Sequence, residues 1–179
     1  MSGRRILALS GSLRRDSYNT ALLRAATELA PAGWAVEVRT LHHIPLYDED
    51  VRARGFPPAV AGLRDAVRAA DALLIATPEY NYSFSGVLKN AVDWISRPPE
   101  QPLAGKPVAV VSASPGITGG VRAQWALKPV LAALGARVLF RPEMAVGGAR
   151  EKFDEAGRLV DEETRRRLAA LLEALTAPL

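Results

Sequence analysis

Short apolar runs alternate with amphipathic helical stripes along this chain. Five of the runs are predicted as strands. Four lie at residues 6–9, 35–41, 72–77 and 107–112, and residues 137–140 begin the fifth. Three of them are continuous, as is typical of strands buried on both faces of a parallel sheet. Parallel strands that alternate with helices need right-handed crossovers, which place helices on both faces of the sheet. We therefore predict a doubly wound α/β fold, in a single domain over residues 1–179.

The segments between the strands carry apolar residues at helical spacing. The first stripe begins at Leu22 and ends before residues 31–33, and the last is predicted to be capped by Asp161. Pro129 is predicted either to kink its helix or to lie close to its start. The polar segment 42–58 is predicted as a loop. Five strands favour the sheet order 2-1-3-4-5 over a six-stranded dinucleotide-binding fold.

Composition excludes several classes of function. The chain has no Cys, which rules out disulfides and thiolate chemistry, and the adjacent His42 and His43 are a poor basis for a metal site. The net charge is +4, but the basic residues are scattered, so we predict no nucleic-acid surface. No apolar run approaches the roughly 20 residues of a membrane-spanning helix, so no membrane insertion is expected. Nothing resembles a signal peptide, and we expect a cytoplasmic protein.

The most informative polar segment follows the first strand. In the order 2-1-3-4-5 a ligand lies at the carboxyl ends of the strands, between strands one and three. Residues 10–20 read SGSLRRDSYNT and lead into a helix. Small residues let the backbone approach a ligand, and the free N–H groups of a helix amino terminus favour a phosphate. Arg14 and Arg15 add charge-assisted donors. A capped turn without a ligand is the alternative.

Two further loops lie at the same edge of the predicted sheet. Residues 77–86 read TPEYNYSFSG, and their aromatic side chains suit a flat ligand ring, although they would also suit a hydrophobic cover or a subunit interface. Residues 112–122 read SASPGITGGVR, in which glycines allow close backbone approach to a ligand. The chain has neither a G-x-G-x-x-G fingerprint nor a phosphate-binding P-loop motif.

Four segments together resemble the NAD(P)H-dependent FMN reductase family, which includes bacterial quinone and chromate reductases. The matching segments are GSLRRDSYNTALLRAA, PLYDED, TPEYNYSFSGVLKNAVDWISRP and GITGGVRAQ. The resemblance implies a flavodoxin-like fold that binds FMN and transfers two electrons from NADPH or NADH to quinones or similar small acceptors. It also implies a homodimer or homotetramer.

The resemblance assigns cofactor contacts by position. The FMN phosphate would be held by Ser12, Arg14, Ser17 and Asn19, with Ser10 and Thr20 close by. The flavin ring would be lined by Pro78, Glu79, Tyr80, Asn81 and Tyr82, chiefly through backbone groups. Its other edge would be approached by Ser112, Ser114 and Gly116. Two positions depart from the family, because Ser85 stands where a proline is frequent and Pro115 removes one backbone N–H from the third loop.

The implied chemistry belongs to the cofactor. Flavin N5 takes the hydride, so no catalytic side chain and no metal are expected, and donors of the third loop would stabilise the reduced ring. Arg14, Arg15 and Arg122 are candidates for contacts to cofactor phosphates. Two alternatives stay open from the sequence: a flavodoxin-type electron carrier without NAD(P)H turnover, and a flavin-free signalling or nucleic-acid module.

Overall fold

Seven strands and six helices are present in the computed structural model, which describes residues 3–177. The strands are β1 (Arg4–Ser10), β2 (Trp34–Thr40), β3 (Ala72–Ala76), β4 (Glu79–Tyr80), β5 (Ser83–Phe84), β6 (Pro107–Ala113) and β7 (Arg137–Val146). The helices are α1 (Tyr18–Glu28), α2 (Glu49–Ala53), α3 (Pro58–Ala69), α4 (Gly86–Ile95), α5 (Val121–Ala133) and α6 (Glu162–Thr176). A 3₁₀ turn covers Ala149–Glu151.

The main sheet has five parallel strands in the order β2-β1-β3-β6-β7. Counted along the chain within this sheet, the order is 2-1-3-4-5, so the predicted flavodoxin-like doubly wound fold is confirmed. Ser10 lies beside Thr40 on one side and Ala76 on the other. The carboxyl ends of the three strands are therefore level, and the loops that follow β1 and β3 begin next to each other.

Each face of the sheet carries its own buried cluster. On one face the leucines of α1 and α6 pack against Ile6, Leu74 and other strand residues. On the other face α3, α4 and α5 pack against Leu7, Leu73 and their neighbours. Ile6 and Leu7 are both at most 1% exposed, as expected of a central strand that is covered on both sides.

Two features differ from the sequence predictions, and the structure decides two points that the sequence left open. The predicted loop 42–58 contains α2, and residues 79–84 form a β4–β5 hairpin. The last strand extends to Val146 through a register shift opposite Ala109 and Val111. Pro129 lies in the C-terminal half of α5 and not close to its start. Short elements carry too few residues to show a period, and the register shift lets β7 continue past Pro142.

No helix in the described part of the chain combines the length and the apolar character that crossing a membrane requires.

Candidate functional site

The carboxyl ends of β1, β3 and β6 enclose a cleft of about 230 Å³. Its lining combines the three loops that the sequence singled out, and consists of Ser12, Arg14, Ser17, Tyr18, Asn19, Pro78, Glu79, Tyr80, Ala113, Ser114 and Pro115. The remaining predicted residues lie around it: Ser10, Thr20 and Ser112 are buried behind the lining, while Asn81, Tyr82 and Gly116 lie on the neighbouring turns.

Gly11 allows the first loop to lie directly against the end of β3. Its N–H donates to the Ala76 carbonyl at 2.7 Å. A Cβ atom at this position would lie 3.0 Å from Ser85 Oγ and 3.1 Å from the Ala76 carbonyl oxygen. Only glycine fits there without displacing backbone, so this close approach determines the path of the loop.

Two buried hydroxyls support the first loop from behind. Ser10 Oγ and Thr20 Oγ1 are 2.7 Å apart, which links the end of β1 to the first turn of α1. His42, which the sequence analysis left without a role, supports the same loop from the other side. Its Nε2 lies 3.1 Å from the Leu13 carbonyl oxygen, and its Nδ1 lies 3.0 Å from Thr40 Oγ1.

The amino end of α1 offers free hydrogen-bond donors to the cleft. Ser17 caps the helix, with its Oγ accepting from the Thr20 N–H at 3.3 Å. Within residues 3–177, no acceptor is bonded to the backbone N–H groups of Ser17, Tyr18 and Asn19. Ser12 Oγ accepts from the Arg14 N–H at 3.3 Å, which leaves its proton available for donation. These donors and the positive end of the helix suit a phosphate.

Arg14 lies over this donor set. Its guanidinium donates to the Asp16 carbonyl and stacks 5.4 Å from the centre of the Tyr18 ring. Arg15, in contrast, points away, with a side chain that is 95% exposed. The structure therefore separates two arginines that the sequence could not distinguish: Arg14 lines the cleft, and Arg15 does not.

Asn19 uses its side chain inside the protein. Its Nδ2 donates to the Ala113 carbonyl and its Oδ1 accepts from the Ala113 N–H, both at 3.0 Å. This pair of bonds joins the first turn of α1 to the last residue of β6. Both ends of the amide side chain are therefore held by Ala113, and the backbone N–H is a further donor that Asn19 presents to the cleft.

The second loop is the β4–β5 hairpin, whose turn residues are Asn81 and Tyr82. Both have positive φ values, 49° and 67°, which are uncommon for residues other than glycine. Two tyrosine rings extend from the hairpin, with Tyr80 59% and Tyr82 73% exposed. Ser85 follows the hairpin and caps α4, and its Oγ donates to the Gly11 carbonyl at 2.6 Å. The Ser85 hydroxyl, at a position where the resemblance would lead one to expect proline, thus joins the second loop to the first.

Glu79 points its carboxylate at the amino end of α5. Its Oε1 accepts from Arg122 Nη1 at 2.7 Å, and its Oε2 accepts from the Arg122 backbone N–H at 3.1 Å. The hydrogen bond to Glu79 raises the pKa of the Arg122 guanidinium, which also lies 4.4 Å from the centre of the Tyr82 ring. Arg122 is therefore engaged with the hairpin and not with the first loop.

The third loop is held by its own polar groups and by two glycines. Ser114 Oγ accepts from the Gly116 N–H at 3.1 Å. Gly119 has a φ of +61°, and a Cβ there would lie 2.7 Å from the Val146 backbone. Behind the loop, the buried Gln124 donates to Ser112 Oγ at 2.7 Å and to the Met144 carbonyl at 2.8 Å. Ser112 is thus a support for the loop and lies outside the lining.

The cleft therefore offers donors that suit a phosphate at the first loop and exposed aromatic rings at the second. Comparison of the sequence with models of known protein families identifies a family with these features. The sequence model of the family described as NADPH-dependent FMN reductase matches residues 4–151, which include all three loops. The chain belongs to this family. The resemblance, and with it the expected class of FMN-dependent NAD(P)H oxidoreductase, is confirmed.

Individual relatives of the FMN reductase family match nearly the full chain. An NAD(P)H-dependent FMN reductase of Pseudomonas aeruginosa is 52% identical over 171 residues, which cover 96% of this chain and 92% of the relative. A quinone reductase of Escherichia coli strain K12 is 44% identical over 172 residues, covering 94% of this chain and 92% of the relative. The solved structure of FerB, a flavoenzyme NAD(P)H:(acceptor) oxidoreductase from Paracoccus denitrificans, superimposes with a TM-score of 0.86 at 35% identity, covering 96% and 94% of the two chains.

The donor set of the cleft fits the cofactor of this family. FMN has a phosphate at one end and a flat ring at the other, and the chain provides unpaired N–H groups with two serine hydroxyls for the first and aromatic side chains for the second. The sequence did not assign Tyr18, Ala113 or Pro115 as cofactor contacts. Each is a direct neighbour of a residue that was assigned, and none of the three belongs to a recognisable binding motif of its own.

Proposed function

We propose that this chain holds FMN in the cleft and transfers two electrons from NADPH or NADH to quinones or similar small acceptors. The observation that carries the proposal is the arrangement of the first and second loops, in which phosphate donors and an aromatic hairpin face one cleft. The names of the relatives, FMN reductase and quinone reductase, support the same activity. The three loops all follow strands of one sheet, which supports one FMN-binding domain over residues 1–179.

The phosphate end of FMN would be held chiefly by backbone groups. The N–H groups of Ser17, Tyr18 and Asn19 would donate to it, together with the hydroxyls of Ser12 and Ser17. Arg14 would neutralise the phosphate charge as a charge-assisted donor. Ser10 and Thr20 would act indirectly, through the bond that holds the loop.

The ring end would lie between the second and third loops. Pro78, Glu79 and Tyr80 would line the ring on one side, while Asn81 and Tyr82 would do so from the hairpin turn. The other edge would meet Ser114 and Gly116, with Ser112 as a support. When bound, FMN supplies the ring that accepts a hydride from NAD(P)H and passes on two electrons. The chain would bind and orient both substrates, and we assign no side chain as an acid or a base.

The first experiment tests FMN binding and turnover. FMN fluorescence is titrated with the protein, and NADPH oxidation is then followed with a quinone as the acceptor. We expect quenching on binding and turnover that depends on FMN. A flavodoxin-type carrier would bind FMN but show almost no steady-state NADPH oxidation. A flavin-free module would leave the FMN fluorescence unchanged, and either result would overturn the proposal.

A variant pair tests the phosphate end. Arg14→Met removes a charge-assisted bond to the phosphate and is expected to weaken FMN binding about 10- to 100-fold, because such bonds contribute about 1.5–3 kcal/mol. Arg167→Met is the matched control, since Arg167 is an exposed arginine of α6 that lines neither this cleft nor the cavity beside it. Equal FMN dissociation constants for the two variants would contradict the role of Arg14.

We also propose a homodimer or homotetramer. Trp125 and Phe140 are both 59% exposed and lie with Pro129 and Lys128 around one shallow cavity, which we call the Trp125 patch. Beneath it, Lys128 is paired with Glu143 at 3.1 Å. Exposed aromatic rings above a satisfied ion pair suit a contact between two copies related by a two-fold axis.

We further propose a cytoplasmic location. The proposed reaction consumes NAD(P)H, and the cytoplasm is the compartment that supplies it.

Light scattering tests the assembly. The wild-type protein is expected to have at least twice the monomer mass of 19.2 kDa. The double variant Trp125→Glu/Phe140→Glu should have half the mass of the wild-type assembly, because burying carboxylates at an interface is strongly unfavourable. A wild-type monomer, or a double variant with unchanged mass, would exclude the patch as the interface.

A further inference from the structure

The carboxylate of Glu79 is engaged away from the cleft. Both of its oxygens accept hydrogen bonds from Arg122, one from the guanidinium and one from the backbone N–H. The Glu79 side chain is 13% exposed and the Arg122 side chain 38% exposed, so the carboxylate is shielded while the guanidinium keeps one side in solvent. Glu79 of the second loop thus has a structural partner 43 residues away.

The amino end of α5 requires an outside cap. The residue before the helix is Gly120, which has a φ of +86° and no side chain to accept from the first N–H groups. A Cβ at Gly120 would lie 3.0 Å from Ser112 Cβ, so a capping side chain would not fit at this position. Glu79 supplies the missing acceptor from the hairpin, and its negative charge lies at the positive end of the helix.

The same ion pair reaches Tyr82. The Arg122 guanidinium stacks on the Tyr82 ring at 4.4 Å, and Tyr82 has a φ of 67°, a conformation that is unfavourable for a residue with a side chain. The stacking supplies a contact that favours this conformation. Glu79, Arg122 and Tyr82 therefore form a chain of contacts, which we call the hairpin clamp.

We propose that Glu79 is a positioning residue, which acts through Arg122 to hold Tyr82 and the hairpin turn at the mouth of the cleft. The inference rests on the proposed function, because the mouth is where NAD(P)H and the acceptor would enter. A preformed mouth lowers the entropy that binding of either substrate must overcome. The FMN phosphate would be bound by another loop, so the clamp acts at the ring end of the cleft, and substrate binding is therefore compared on enzyme saturated with FMN.

Four variants test the clamp on the FMN-loaded enzyme. Glu79→Gln keeps the shape of the side chain but loses the charge. Arg122→Met loses the two contacts of the guanidinium, to Glu79 and to the Tyr82 ring, and keeps the backbone N–H bond. Arg122→Lys keeps the charge. The fourth is the double variant Glu79→Gln/Arg122→Met. We expect about a tenfold increase in KM for NADPH and for the quinone in each of the first two, with kcat within about twofold, since contacting groups couple by about 0.5–3 kcal/mol. Arg122→Lys should recover part of the affinity.

The double variant separates positioning from two independent effects. If Glu79 acts through Arg122, the double variant should be no worse than Arg122→Met alone. Glu37→Gln is the matched control, because Glu37 also pairs with arginines, Arg39 and Arg5, but on the edge strand β2. Its KM values should equal those of the wild type. Multiplied effects in the double variant, or a fall in kcat at unchanged KM, would overturn the proposal.

Hydrogen exchange on the FMN-free protein gives a readout that does not depend on turnover. Amides of residues 79–84 should exchange faster in Glu79→Gln and in Tyr82→Leu, while those of β1 and β3 should not change. Unchanged exchange in the hairpin would reject the clamp even if the enzyme is active. Absence of NADPH oxidation by the wild type would reject the proposed function. The exchange measurement would still show whether Glu79 and Tyr82 hold the hairpin.

Discussion

Several polar residues beside the cleft use their side chains inside the protein and do not direct them into the cleft. Ser10, Asn19 and Ser112 are polar residues at the carboxyl ends of strands, and their sequence positions predict contact with a ligand. In the folded chain each of their side chains bonds to another part of the protein, to Thr20, Ala113 and Gln124 respectively. The backbone N–H groups of the first loop are left as the donors. The sequence predicted the sheet edge at which the candidate cleft lies, whereas the partner of each side chain depends on residues far along the chain.

Asn19 provides a prediction at this scale. Asn19→Ala removes both bonds to Ala113 and leaves a buried N–H and a buried carbonyl without partners. We expect the free energy of unfolding to fall by about 1–3 kcal/mol, the cost of unsatisfied buried polar groups. Urea denaturation measures the change. The control is Thr27→Ala, which removes an exposed side-chain bond in the same helix and should shift stability by less than about 0.5 kcal/mol. Similar losses in both variants would contradict the prediction.

Whole elements were predicted best where an apolar period extends over several turns. The stripes of α1, α3, α4, α5 and α6 match helices in the structure, while α2 and the β4–β5 hairpin were missed. The hairpin turn contains Asn81 but no glycine after it, so the usual sequence signal is incomplete. Tertiary contacts supply what local propensity lacks, because the Tyr82 ring stacks on Arg122 from a different helix.

Pro129 allows a prediction at the scale of one helix. It lies inside α5, is exposed, and leaves the Trp125 carbonyl without its helical N–H partner. Pro129→Ala should raise the free energy of unfolding by about 1–3 kcal/mol, and urea denaturation measures this. Pro58→Ala is the matched control, because Pro58 occupies the first turn of α3, where proline is favourable. Its stability should fall slightly. A Pro129→Ala variant no more stable than the wild type would refute the prediction.

Carboxylates distributed over the molecule determine its response to acid. Hydrogen bonds from Arg52 and then from Tyr47 lower the pKa of Glu49 from 4.5 to about 2. Donation from Arg39 lowers the pKa of Glu37, and donation from the Arg158 backbone lowers the pKa of Asp154. Asp161 has a lowered pKa because the Thr164 hydroxyl donates to it. In each case the folded state favours the ionised form more than the unfolded state does.

The expected pH dependence follows from these directions. Below the ordinary carboxyl pKa the unfolded chain binds more protons than the folded protein, so stability is complete above about pH 5 and is lost as the pH falls toward 2. Urea midpoints at pH 6, 4 and 3 should therefore decrease in that order. The decrease should be shallower in Glu49→Gln, which cannot titrate at this position. A midpoint independent of pH, or an equally steep decrease in the variant, would contradict the assignment.

The alternation of strands with helical stripes was sufficient to predict the fold class, the sheet order and the sheet edge at which the candidate cleft is found. These properties depend on local periodicity and on the handedness of crossovers, which any sequence of this pattern must obey. The tertiary structure alone decided which donors remain free. Asn19 meets Ala113 across 94 residues, and Glu79 meets Arg122 across 43. Contacts of this kind arise when separate strands end at the same sheet edge, and no local pattern encodes their partners.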